Sequence, residues 1–103
     1  MDFTRNNFIE FWKRIVPFGG TIDLDILDCF GYFEAEPYKG VIIRYNFEKV
    51  THNREGITFD CRSRIRNFDL GSISINEDFF NRYAKEIRVL GNYPEEWTND
   101  LNY

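Results

Sequence analysis

Four arginines carry the clearest chemical signal in this sequence. Arg44, Arg62, Arg64 and Arg66 occupy even positions in two segments whose odd positions form a mainly apolar face: Val41, Ile43, Tyr45 and Phe47 in the first, and Ile57, Phe59, Cys61, Ser63 and Ile65 in the second. Strand side chains alternate between faces, so a hairpin of these segments places all four guanidinium groups on one wet face. Lys39 joins them at a turn, with Lys49, His52 and Arg54 towards the connecting loop. Planar guanidinium forks suit phosphates and carboxylates, so the face is a candidate site for an anion, a nucleotide or nucleic acid. Like charges opposed across a ladder cost stability, and Asp60 and Glu48, on the same face, are the carboxylates placed to offset them.

The carboxylates form a second set. Asp23 and Asp25 alternate along an earlier segment and share a face, with Asp28, Glu34 and Glu36 following. Glu95, Glu96 and Asp100 lie near the C-terminus among Tyr93, Trp97 and Tyr103. Carboxylates can mimic phosphates, and Trp and Tyr are common interface anchors, so Asp23, Asp25, Tyr93, Glu95, Glu96 and Trp97 are the candidate contacts to a partner protein. Phe68 and Tyr38 add exposed aromatics in turns. A hard cation needs more oxygen ligands than Asp23 and Asp25 supply, so no metal is assigned.

Catalytic patterns are weak. The single histidine, His52, falls in an expected loop, and no Ser or Cys sits at a strand-to-helix elbow. Gly19-Gly20 precedes a strand and not a helix, the wrong order for cradling phosphate on a helix N-terminus. One enzymatic arrangement is conceivable: His52 and Glu55 as acid and base with Arg62 or Arg64 on a phosphate, a metal-independent ribonuclease. No catalytic residue and no cofactor is assigned.

The elements that must position these groups are legible from periodicity. Phe8, Ile9, Phe11, Trp12, Ile15 and Val16 form the stripe of an amphipathic helix over residues 4 to 16, capped by Thr4, stapled by Phe3 and Phe8, and stopped by Pro17. Residues 21 to 27 alternate as a strand, with a bulge or tight turn needed between Asp28 and Gly31 to bring Leu27, Cys29, Phe33 and Ala35 onto one face. Residues 36 to 40 read as a turn. The two arginine-bearing segments pair around a connection at residues 51 to 56, whose parity demands an odd loop or a bulge. A short strand over residues 72 to 75 points Ile73 and Ile75 inward. A second helix starts at the cap Asn76, runs through Phe79, Phe80, Tyr83, Ala84, Ile87 and Leu90, and stops at Gly91. Residues 92 to 103 read as a short helix or a mobile acidic tail.

The order is therefore α-β-β-β-β-(β)-α: an α+β fold with an antiparallel meander of four to five strands flanked by an N-terminal and a C-terminal helix. At 103 residues, 43% apolar and rich in Phe, the chain suits one domain with one core. A net charge of −4 conceals segregation: residues 1 to 38 are net −4, residues 39 to 66 net +4, and the remainder net −4. No stretch approaches a membrane span and the first helix is too charged for a secretory signal, so a soluble, cytoplasmic protein is expected. Cys29 and Cys61 are read as reduced core thiols.

In size and charge the chain is similar to small acidic inhibitors, such as immunity proteins that neutralise a cognate toxin and phage proteins that block host defence enzymes. The similarity covers no motif and carries over no residue. It implies a non-enzymatic binding protein whose partner is another protein, an enzyme acting on nucleic acid. Nucleic acid itself ranks second: the aromatics fall mostly on buried parity, and an acidic pI near 5.0 repels a polyanion at long range.

Overall fold

The computed structural model describes residues 3–25 and 29–91, with the backbone alone for Cys29 and Gly91. The elements run α1 (Arg5–Ile15), β1 (Gly20–Asp23), β2 (Cys29–Tyr38), β3 (Val41–Asn53), β4 (Gly56–Ile65), β5 (Phe68–Asn76), α2 (Glu77–Tyr83) and β6 (Ala84–Gly91). The Thr4 hydroxyl accepts the Asn7 N–H at 3.4 Å to cap α1, Lys13 and Arg14 sit in its last turn, and the Phe3 and Phe8 rings meet edge-on at 5.8 Å as the staple requires.

All the strands join one antiparallel sheet in the order β5-β4-β3-β2-β6, with β1 pairing the far half of β3. Both helices lie on one face. Phe8 of α1 stacks on Phe47 at 5.2 Å and on Phe80 of α2 at 5.0 Å, while Phe80 meets Phe33 edge-on at 5.1 Å. These rings, with Phe11, Trp12, Val50, Phe59, Cys61 and Ile87, make one continuous core between helices and sheet. The opposite face is covered by no described element.

The parity constraint on the hairpin is met by a bulge. Phe47 pairs with Cys61 and Lys49 with Asp60, leaving Glu48 unmatched. Before it the odd residues Tyr45 and Phe47 are buried; after it the even residue Val50 is. The strands also run further than the sequence suggests, so Arg54-Glu55 alone forms the turn between them.

Three expectations are corrected. The sheet has six strands, not four to five. The second helix stops at Tyr83 and the chain continues as β6, so the order ends α-β. Ala84, Ile87 and Leu90 fit a helical spacing, but Ile87 and Val89 also alternate with Glu86, Arg88 and Leu90, and the vacant edge of β2 decides for the strand. Ile75 is buried as expected, whereas Ile73 is 43% exposed, because it stands at the sheet's rim. Among the described residues no helix is long and apolar enough to cross a membrane.

Candidate docking surface on the open sheet face

The face opposite the helices is built by register. One row crosses the sheet as Ser72, Arg62, Asn46, Tyr32 and Arg88; the next as Asp69, Arg64, Arg44, Glu34 and Glu86. Arg44 and Arg64 are therefore directly opposed, a register compatible with the even-sum parity of the spacing, and their repulsion is relieved from the flanking strands. Arg44 donates to Glu34 at 2.9 Å and lies 3.9 Å over the Tyr32 ring. Arg62 Nε donates to Asp69 at 2.7 Å. Glu48 and Asp60 form no ion pair with the arginines among the described residues: Asp60 accepts the Ser74 hydroxyl at 2.6 Å, and Glu48, at the bulge, adds only a weaker through-space attraction at Arg62. Arg62 and the Gly71 N–H together hold the Asp69 carboxyl below its ordinary range.

Arg64 and Arg66 have no ion-pair partner among the described residues. With Arg44, Asn46, Asn67, Ile42 and Glu34 they line a hollow of about 500 Å³. Arg66 occupies the β4–β5 turn with a left-handed backbone, φ 53°, a conformation sparsely populated outside glycine. Three cations and two side-chain amides against one carboxylate make this a place where an anionic group gains charge-assisted hydrogen bonds.

Beside the hollow the surface turns apolar. The β2–β3 and β4–β5 turns lie at the same end of the sheet, and there Tyr38 is 72% exposed, Phe68 74% and Ile42 48%. Ile42 and Phe68 share a second hollow with Gly40, Val41, Ile65 and Arg66. Exposed aromatic side chains flanked by arginine are the composition of interface hot spots. Phe30 and Tyr32 also stand on the open face, so it is less poor in aromatics than strand parity suggests.

The acidic pair lies elsewhere. Asp23 pairs in register with Lys49, five residues along β3 from Arg44 and so about 15 Å away. Its carboxylate accepts the Asp25 N–H at 3.0 Å, closing a turn. Tyr93, Glu95, Glu96 and Trp97 lie outside the described residues, as do Asp28 and Asp100. No group of three or more His, Cys, Asp or Glu side chains converges as a metal site among the described residues.

His52 is in β3, not in a loop. It pairs with Ile57 and Gly20, on the helix side of the sheet, where Nδ1–H donates to the Val16 carbonyl at 3.1 Å and the ring meets Phe18 edge-on at 5.4 Å. Arg62 is paired with Asn46, six residues back along β3, about 20 Å from His52 and on the other face. The groups of the ribonuclease arrangement are thus not brought together. Cys61 is buried and free, and burial pushes its thiol pKa up, so it is no ready nucleophile.

Sequence reasoning missed Ile42, Asn46, Asn67 and Tyr32 as neighbours of the arginines. Ile42 and Asn46 share the arginines' parity and were open to discovery; Asn67 and Tyr32 depend on turn geometry and on which strand lies beside β3. No family model matches the chain, and neither the curated proteins nor the solved structures supply a match.

Proposed function

We propose that this chain is a small non-enzymatic binding protein that blocks a partner protein, an enzyme acting on nucleic acid, through the hairpin-tip end of its sheet. The observation that carries the reading is the gathering of exposed Ile42 and Phe68 with Arg66 at the turn end of the sheet, beside the hollow that Arg64 and Arg66 line, with Tyr38 exposed at the same end. Large exposed apolar side chains gathered at one end of a small domain mark a contact surface more often than chance. The net charge of −4 supplies long-range attraction towards the basic surface of a nucleic-acid enzyme, with Asp23 and Asp25 available to its cations and the arginine hollow to a carboxylate of the same partner.

The test is co-purification of the full chain with a stoichiometric partner, followed by assay of that partner on nucleic acid with and without the chain. Tyr38→Ala with Phe68→Ala should weaken the complex by about 2–4 kcal/mol and relieve the block while leaving the fold intact. Recovery of nucleic acid with no protein would overturn this reading in favour of the second, an anion or nucleic-acid module. The hollow of about 500 Å³ between Arg44, Arg64 and Arg66 favours that alternative, and it requires a salt-sensitive interaction lost in Arg64→Glu with Arg66→Glu.

A further inference from the structure

The β5 and β6 ends of the five-strand path are managed differently. The β6 edge carries Lys85, Glu86 and Arg88, and its Ile87 carbonyl accepts the Phe3 N–H at 3.5 Å. These are recognised ways of keeping a strand edge from pairing with another chain. At the other edge β5 reads FDLGSISIN, with no Lys, Arg or Pro. Its only charge, Asp69, is engaged by Arg62. The extra residue of its bulge, Leu70, is confined to the start of the strand, and from Gly71 to Asn76 the ladder against β4 is regular. That leaves six neutral residues with one side of the backbone unpaired by any described strand. The apolar content of the edge is exposed as well: Leu70 is 52% accessible, and Ile73 is 43% accessible although Cys61, directly across from it on β4, is fully buried.

We propose that β5 pairs with β5 of a second copy of this chain, antiparallel about a twofold axis at Ile73, joining two sheets into one. The segment is self-complementary in that register. Ile73 meets Ile73 of the second copy, Ser72 meets Ser74, and Gly71 leaves room for the branched side chain of Ile75. No like charges are opposed, serines and β-branched residues are favourable cross-strand pairs, and each contact occurs twice because the interface is isologous. The half-exposed Ile73 finds its cover in its own symmetry mate. Only one strand per chain takes part, so the dimer forms with rising concentration and dissociates on dilution. This pairing leaves Tyr38 and Ile42 of the partner contact free, while Phe68 lies at the start of the same strand, outside the paired stretch from Gly71 to Ile75.

Sedimentation equilibrium of the full chain over a wide concentration range should show a shift from single-chain to double mass. Ile73→Lys, which sets two ammonium groups against each other on the axis, should weaken dimerisation roughly tenfold or more. Tyr38→Ala should leave it unchanged. In a Cys29→Ser, Cys61→Ala background, which removes the thiol directly across β4 from position 73, Ile73→Cys should form an intermolecular disulfide on mild oxidation, and Leu70→Cys, which does not face its own copy, should not. A mass that stays single-chain at the highest concentration, or a dimer undiminished in Ile73→Lys, overturns the proposal. If Ile73→Lys fails to fold by circular dichroism, the cross-link decides: a dimer joined at position 73 supports the pairing, and its absence refutes it.

Discussion

At the scale of single residues, the open face tolerates its own charge because Arg44 and Arg62 each hold a carboxylate from a flanking strand. Arg62 and Asp69 show this best. Asp69 is held below its ordinary value of 3.8 first by the Arg62 hydrogen bond, then by the Gly71 N–H. A carboxylate with a depressed folded-state pKa stabilises the fold above its unfolded pKa, and that contribution is lost as pH falls through the folded value. Asp69→Asn should therefore melt at a lower temperature than the wild type near neutrality, and the gap should close as the solution is taken below pH 3.8. Thermal denaturation across that range checks it; a gap that stays constant in acid would show that Asp69 acts through its turn and not through its charge. The pair is solvent-exposed, so the effect is small and should shrink with added salt. That the arginines share one face was legible from spacing; that Arg44 stands directly across from Arg64 comes from the register. Which carboxylates relieve their repulsion was not legible, because Glu34 and Asp69 come from strands whose order across the sheet no local pattern records.

At the scale of elements, β2 and β6 leave no room for a side chain at Gly31. A side chain on Gly31 would place its first carbon 2.3 Å from the Arg88 carbonyl oxygen and 2.9 Å from the Val89 Cα, both backbone atoms that cannot turn aside. Gly31→Ala should cost about 1–3 kcal/mol. It should also speed hydrogen exchange specifically across residues 84–91. Uniform exchange with unchanged stability would mean that β6 is not held where it is placed. The same strand marks where sequence reading fell short. Helix α1 was legible almost to the residue because its stripe, cap, staple and terminator all agree. The segment after Tyr83 gave a helical and an alternating reading at once, and only the unfilled hydrogen bonds of β2 separate them. His52 was assigned to a loop for a related reason: the polar run from Thr51 to Gly56 resembles a connection, yet pairing with β1 and β4 draws Thr51, His52 and Asn53 into the strand.

At the scale of the whole molecule, one core of interlocked aromatic rings makes opening cooperative. Cys61 lies within it, and its buried thiol is held in the protonated, unreactive form. In a Cys29→Ser background, labelling by a thiol reagent should be negligible in the native protein and should rise along the same denaturant curve as loss of circular dichroism. Labelling that runs ahead of unfolding would reveal a local opening of the β4 rim. Charge is distributed at this scale too. The acidic-basic-acidic order along the chain becomes, on the open face, a centre of arginines on β3 and β4 flanked by carboxylates of β2, β6 and β5. The unmatched Glu48 has its own bearing on the chain as a heritable object. Up to that point odd residues of β3 feed the core, and past it even ones do, so loss of this one codon would turn half the strand inside out and send Val50 into water. Extra residues at the Arg54-Glu55 tip would disturb no such phase, which makes the tip the natural place for length variation and Glu48 a position where the count is locked.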